Sequence, residues 1–243
     1  MSRGYKEPGH KPRRFYKSVE TAPADGGVAV LLDGRAVRTP GGAPLALPTA
    51  ATAALVAEEW AAQDQHIEMA VMHATRLANT AIDAIPGSRG PTADSVATFA
   101  ASDLICYRAE NPQSLVRRQA ELWDPLLARA RAEAGIDLVC AAGIIHAEQS
   151  KPALAQVRAL ALAQDDFRLA GLAFGTALFG SAVLAIAALS GWVTAEAAFN
   201  LSRLDEAWQE SRWGVDAKAA QRTARLGVEA RMLGRWFETL AGA

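Results

Sequence analysis

Over residues 28–39 the chain reads VAVLLDGRAVRT, two stretches rich in β-branched residues on either side of Asp33-Gly34. Asp-Gly tolerates the positive φ angles of a two-residue type I′ turn, so the pattern predicts a hairpin. Pro40-Gly41-Gly42 ends it, and Leu45-Ala46-Leu47 reads as a third short strand. Pro48-Thr49 then opens a helix with Thr49 as N-cap and residues 50–63 as its body. Residues 67–72 fit strand or coil equally. Past Thr75 nothing reads as a strand, and helical stretches are predicted over 75–85, 92–103, 114–134, 150–164, 166–189, 195–211 and 216–240. Pro86-Gly87, Pro91, Pro112, Gly135, Pro152 and Gly191 punctuate them. Pro125, inside one of these stretches, removes a backbone donor and is expected to kink or restart its helix, while Trp123 and Leu126 are assigned to the core.

A run of strands followed by a run of helices predicts an α+β fold. A small β-rich N-terminal domain is followed by a larger, all-helical C-terminal domain. The expected organisation is a flexible basic arm over 1–13, a β-rich domain with one helix over 14–80 and a helical domain over 81–243. No internal repeat or low-complexity tract interrupts it.

Composition removes several function classes. Lys+Arg 25 against Asp+Glu 26 leaves a net charge of -1, so no global excess points to nucleic acid. With 51% hydrophobic and 21% charged residues the 243-residue chain is globular rather than disordered. A chain of this size buries roughly 70–75% of its unfolded surface. Its two cysteines, Cys106 and Cys140, therefore form no disulfide framework, which suits a reducing compartment.

Two local asymmetries remain. Residues 1–17 hold Arg3, Lys6, Lys11, Arg13, Arg14 and Lys17 against Glu7 alone. Pro8, Gly9 and Pro12 keep this arm from being helical, and it lacks the apolar run of a signal peptide, so the protein is expected to stay where it is made. The stretch 169–194 carries no charged residue and is long enough to span a bilayer. Gly180-Ser181 and Ser190-Gly191 interrupt it, no basic cluster flanks it, and a helix apolar all round is also the central helix of a soluble helical domain. No stable membrane insertion is expected, and Gly171, Gly175 and Gly180 are assigned to packing.

The familiar catalytic signatures are missing: no nucleophile elbow, P-loop, dinucleotide fingerprint, zinc-protease helix or C-x-x-C pair occurs. His10, His66, His73 and His146 are scattered without ligand spacing, so no metal and no cofactor is expected. Cys106 has no histidine nearby in sequence to activate it. What stands out is SRLDEAWQESRWG over 202–214. On a helix Glu206, Gln209, Glu210 and Trp213 form one stripe, with Leu201, Leu204 and Trp208 on a neighbouring stripe able to bury. One reading is a solvated face, with Arg203 and Arg212 neutralising the carboxylates and Trp213 packed under the next helix. The other is a partner-binding edge, with carboxylates meeting a basic surface and the tryptophan as anchor.

Several segments occur in a recognisable order: Arg14-Phe15-Tyr16-Lys17, Leu32-Asp33-Gly34-Arg35, Arg38-Thr39-Pro40, Glu58-Glu59-Trp60 with Gln63, and Thr80-Ala81-Ile82-Asp83. Asp103-Leu104-Ile105-Cys106-Tyr107-Arg108, Gln119 with Trp123-Asp124-Pro125-Leu126-Leu127, Gly180-Ser181, and Asp205-Glu206 with Gln209 and Trp213-Gly214 continue it. Together they resemble the assembly-chaperone family of the ATP synthase catalytic head, over nearly the whole chain. The resemblance implies a non-enzymatic chaperone that binds the free alpha subunit of the F-type ATP synthase and prevents its aggregation until beta takes its place. It implies a partner-binding site at Asp205, Glu206, Gln209, Glu210 and Trp213. A monomer is the default expectation, and the alanine-rich chain without a transit peptide fits a cytoplasmic bacterial counterpart of a mitochondrial matrix protein. One departure is local: Met72-His73-Ala74-Thr75 stands where relatives tend to carry Met-Pro before the threonine. The competing readings are a small hydrolase or metalloenzyme using Cys106 or the Glu206/Glu210 pair, a membrane-associated factor using residues 169–194, and a nucleic-acid binder using the arm.

Overall fold

The computed structural model describes residues 12–143 and 147–241, so most of the expected basic arm, with His10, and also His146 lie outside the described residues. The chain divides into two compact units, 1–79 together with 239–243, and 80–238.

In the first unit β1 (Val19–Ala24) and β2 (Gly27–Leu32) pair antiparallel, from Val19 against Leu32 to Ala24 against Gly27. The chain turns at Asp33-Gly34 into β3 (Arg35–Ala36), and β4 (Ala46–Leu47) returns beside the start of β2. Asp33 (φ 47°) and Gly34 (φ 76°) are both left-handed, as a type I′ turn demands. The Asp33 carboxylate accepts from the backbone N–H of Ser18 (2.8 Å) and Lys17 (2.9 Å), and these bonds hold its carboxyl below the usual range. β1 is the element the pattern missed. Its sequence, VETAPA, has no apolar alternation, and Pro23 is tolerated because β1 is an edge strand.

Helix α1 (Ala50–Ala61) starts where expected and stops two residues early. The Thr49 hydroxyl accepts from Thr52 N (3.0 Å) and donates to the carbonyl of Thr239 (2.9 Å), which brings the chain's last residues into this unit. α1 packs on β1 and β2, burying Leu55, Val56 and Trp60 with Val30, Leu45 and Leu47. The ambiguous 67–72 segment holds one 3₁₀ turn, Met69–Val71. Before it, Pro12 and Arg13, the last residues of the expected arm, are held in place: Arg13 bridges His66, and Ile67 N donates to Pro12 O (2.8 Å). Helix α2 (His73–Asp83) opens at the histidine that departs from the family pattern. Glu59 reaches over from α1 to accept from Ala74 N and Thr75 N, both at 2.8 Å, capping α2 with a carboxylate where a helix start is positive.

Among its described residues the second unit is helical apart from one short ladder and a 3₁₀ turn, Leu104–Cys106. Helix α3 (Ile85–Ala101) begins before the predicted 92, running through Pro86, Gly87 and Pro91 with a single non-helical residue, Ser88. Proline is tolerated in a first turn, so the kink at Ser88 lets Pro91 start a second helical stretch without breaking the element. The expectation that nothing past Thr75 is extended is corrected at β5 (Tyr107–Arg108), which pairs in parallel with β6 (Ala141–Ala142) across helix α4 (Gln113–Ala134). Two residues per strand are too few to leave a periodicity. α4 continues through Pro125 as one helix, so the expected restart does not occur, and Trp123 and Leu126 are buried on it as assigned.

Helix α5 (Lys151–Leu162) lies against α3, and Arg89 ties the joint by donating to the carbonyls of Leu162 (2.9 Å) and Gln164 (2.5 Å) and pairing with Asp166. The predicted 166–189 helix is two: α6 (Asp166–Phe179) and α7 (Ala182–Leu189). Gly180, at φ 64°, supplies the left-handed C-cap, and the Ser181 hydroxyl accepts from Leu184 N to start the next helix. Residues 182–188 are all buried, and α7 packs on α3, α4, α6 and α8 (Ala195–Ser202). The uncharged stretch is thus the core of a helical unit, and no helix among the described residues is long and apolar enough to cross a membrane. The predicted 195–211 helix also divides, at Arg203, into α8 and α9 (Leu204–Trp213); α10 (Ala217–Leu240) closes the chain. Gly171 and Gly175 face α10, where an added Cβ would lie 2.6 Å from Phe237 and 2.9 Å from Leu233. Both glycines serve close helix packing.

Candidate functional site

α9 exists because Arg203, at φ -108° and ψ 18°, ends α8 and redirects the chain. Asp205 and Glu206 then sit in its first turn, where carboxylates complement the positive end of the helix. No residue of α9 is buried. Leu201, Leu204 and Trp208, expected to bury as a stripe, are half-buried, because the break at Arg203 falls within the stripe and turns its halves apart.

The five predicted site residues divide. Asp205 turns inward and accepts from Gln119 Nε2 at 2.7 Å. Gln119, 0% exposed on α4, also accepts from Ala109 N at 2.8 Å through Oε1, so one buried amide joins the β5–α4 turn to the root of α9. Glu206, Gln209, Glu210 and Trp213 instead line one wall of a groove of about 840 Å³. The opposite wall comes from Asp216, Lys218, Ala219, Arg222 and Leu226 at the start of α10, and the floor includes Phe179 and Phe199. Asp216 earns its place there as the cap of α10, its carboxylate accepting from Ala219 N at 2.8 Å.

Of the neutralised-face reading, the structure keeps only the Arg203 part. Arg203 does pair with Glu210 (3.1 Å), but Arg212 lies over the Trp208 ring, 5.2 Å from its centroid, and leaves the carboxylates alone. Glu206 is exposed and has no ion pair or hydrogen bond to other described residues. Trp213, expected under the next helix, is 76% exposed and meets Trp208 edge-on at 6.1 Å. Beyond it Val215 is also exposed, as is every residue from 211 to 222. An unpaired carboxylate, a half-satisfied one and a bare tryptophan around an open groove can take a partner with apolar and basic groups.

Sequence reasoning missed Gln119 as the support of this face, since a glutamine within a helical pattern carries no signal of what it reaches across the fold. It also missed Asp103. That carboxyl is 0% exposed and accepts from Val183 N (3.1 Å) and Ile105 N (3.3 Å), with further bonds from Ser181 and Ala182, which makes it a buried clamp on the start of α7. Burial pushes its pKa up to about 6, the hydrogen bonds opposing. Cys106, buried beside it, has its thiol pushed up by the same burial and is shielded from external substrates. Among the described residues no group of three or more His, Cys, Asp or Glu is placed to hold a metal ion.

Comparison with known proteins gives a consistent picture. The family described as ATP12 chaperone protein matches residues 13–131. The crystal structure of Atp12 from Paracoccus denitrificans superposes with a TM-score of 0.87 at 39% identity, covering 94% of this chain and 98% of that one. An aspartate-to-lysine variant of Atp12p from the same organism gives 0.87 at 38% identity, covering 94% of this chain and 97% of that one. The mitochondrial protein atp12 of Schizosaccharomyces pombe is 26% identical over 215 residues, 83% of this chain and 74% of that protein.

Proposed function

Since the chain belongs to the ATP12 chaperone family, whose members are assembly chaperones of the ATP synthase and not enzymes, we propose that its client is the free alpha subunit of the F-type ATP synthase. The client is met in the cytoplasm by a monomeric chaperone, before beta takes its place. An unassembled subunit exposes the apolar surface meant for its neighbour, and such surfaces aggregate. A chaperone that covers this surface and then releases it needs an interface of moderate size with a polar rim and a small apolar anchor.

The observation that carries the reading is the exposed Trp213 on one wall of the groove with Glu206, Gln209 and Glu210. In the proposed complex Trp213 is the apolar anchor, Glu206 and Glu210 meet basic groups of the client, and Gln209 supplies an amide for its backbone. Asp205 acts from behind by seating α9 on Gln119.

The test is Glu206→Lys, assayed by light scattering of separately expressed alpha subunit. Glu206 has no described side-chain partner, so the substitution costs only its favourable interaction with the start of α9, about 1 kcal/mol. Loss of protection by a variant that still unfolds cooperatively, with its melting temperature lowered by no more than that cost implies, is expected. Full protection by the folded variant would remove this face from the interface.

A further inference from the structure

We propose that Cys106 and Cys140 are a paired oxidation site that closes to an intrachain disulfide on contact with a peroxide-class oxidant. The sequence separates the two, but the fold brings them together. Tyr107 pairs in parallel with Ala141 and Arg108 with Ala142, and Cys106 and Cys140 are the residues just before that ladder, Cys106 as the last residue of a 3₁₀ turn (Leu104–Cys106). The strands they lead into lie about 4.8 Å apart, and a disulfide spans a Cα separation of roughly 4.4–6.8 Å. The Cys140 sulfur is near enough to raise the Cys106 thiol, and both cysteines are free.

The backbone on both sides is already fixed. Gln149, buried, holds Val139 through two 2.8 Å bonds, donating to its carbonyl and accepting from its N–H. Gly143 N donates to Arg108 O at 2.9 Å beyond the ladder. Closing the bond therefore orders little that is not ordered already.

The two sulfurs differ in ways that assign their roles. Cys140 is exposed, and the Arg108 guanidinium donates to its Sγ at 3.8 Å. An accessible sulfur is the one that an oxidant in solvent reaches. Cys106 is buried and shielded, so it waits as the resolving thiol. In the first step the Cys140 thiolate attacks one peroxide oxygen; the S–O bond forms, the O–O bond breaks, and hydroxide leaves with its electron pair. Cys140 becomes a sulfenic acid and the peroxide is reduced. In the second, Cys106 sulfur attacks Cys140 sulfur; the S–S bond forms, the S–O bond breaks, and the thiol proton leaves with the hydroxyl group as water.

The cross-link joins the segments that enter and leave α4, the helix whose Gln119 holds Asp205 and whose Trp123 donates to the Leu201 carbonyl at 3.1 Å. Oxidation thus staples the support of α9 without touching the groove residues.

The experiment exposes the purified, reduced full-length chain to hydrogen peroxide, alkylates it after unfolding, and maps peptides by mass spectrometry. The expected result is a peptide joining Cys106 to Cys140, formed at a rate independent of protein concentration, lost with dithiothreitol, and accompanied by a higher melting temperature. In Cys140→Ser, Cys106 is expected to stay alkylatable after the same exposure. Cys140 advancing to sulfinic acid, or linking two chains, while Cys106 remains free would overturn the proposal. Because the readout is covalent and needs no client, its failure is distinguishable from failure of the alpha-subunit reading.

Discussion

Replacing Gln119 by leucine tests whether the buried amide seats α9. The two side chains are similar in size, so Gln119→Leu opens little cavity and isolates the polar contribution. It removes the 2.7 Å bond to Asp205 and the 2.8 Å bond from Ala109 N. Asp205 is half-exposed and regains water, which discounts the first loss. The Ala109 N–H is left without its acceptor, at about 1–3 kcal/mol. A net cost of about 2 kcal/mol follows, equivalent to a fall in melting temperature of roughly 4–8 °C for a unit of this size. Urea unfolding followed by far-UV circular dichroism measures it. Gln119→Glu sets a second carboxylate against Asp205, so it is expected to be worse than leucine at neutral pH and to recover on acidification. A leucine variant within 0.5 kcal/mol of wild type, or a glutamate variant indifferent to pH, would refute the bridging role, that threshold being about the scatter of neutral substitutions.

Two further predictions concern the helical core. The pKa of Asp103 is raised to about 6 from 3.8 by burial, so between those values the folded chain keeps a proton that the unfolded chain has lost. Stability therefore falls as pH rises from about 3 to about 7, by about 3 kcal/mol from this group, and wild type should lose that much relative to Asp103→Asn, measured by denaturant midpoints across that range. In Gly171→Ala the new Cβ would lie 2.6 Å from Phe237 and 3.0 Å from Trp236, so the overpacking cost of about 1–3 kcal/mol outweighs the better helix propensity of alanine, which chemical denaturation would show.

The hairpin, the Thr49 cap and most helices were legible because each rests on a local rule: paired positive φ angles at Asp33-Gly34, a hydroxyl before an apolar run, and a 3.6-residue period. The misreadings share a cause. The divisions at Gly180-Ser181 and Arg203 leave the apolar periodicity on both sides intact, so each pair of helices reads as one. Pro91 and Pro125 read as breaks, yet one falls in a first turn beside a kink and the other sits on the exposed face of a helix whose opposite face is buried through Leu115, Trp123 and Leu126. β1 and the β5–β6 ladder are held by partners distant in sequence. At the site, the stripe of Glu206, Gln209, Glu210 and Trp213 followed from helical spacing alone. That Asp205 turns away from it, and that the start of α10 supplies the other wall, depended on contacts no local pattern encodes.

Client selectivity tests the central claim most directly: immobilised chain is incubated with separately purified alpha and beta subunits of the ATP synthase of its own source. The account predicts that alpha alone is retained, that its aggregation is suppressed, and that added beta releases it. Equal retention of both subunits, or of neither, would contradict it.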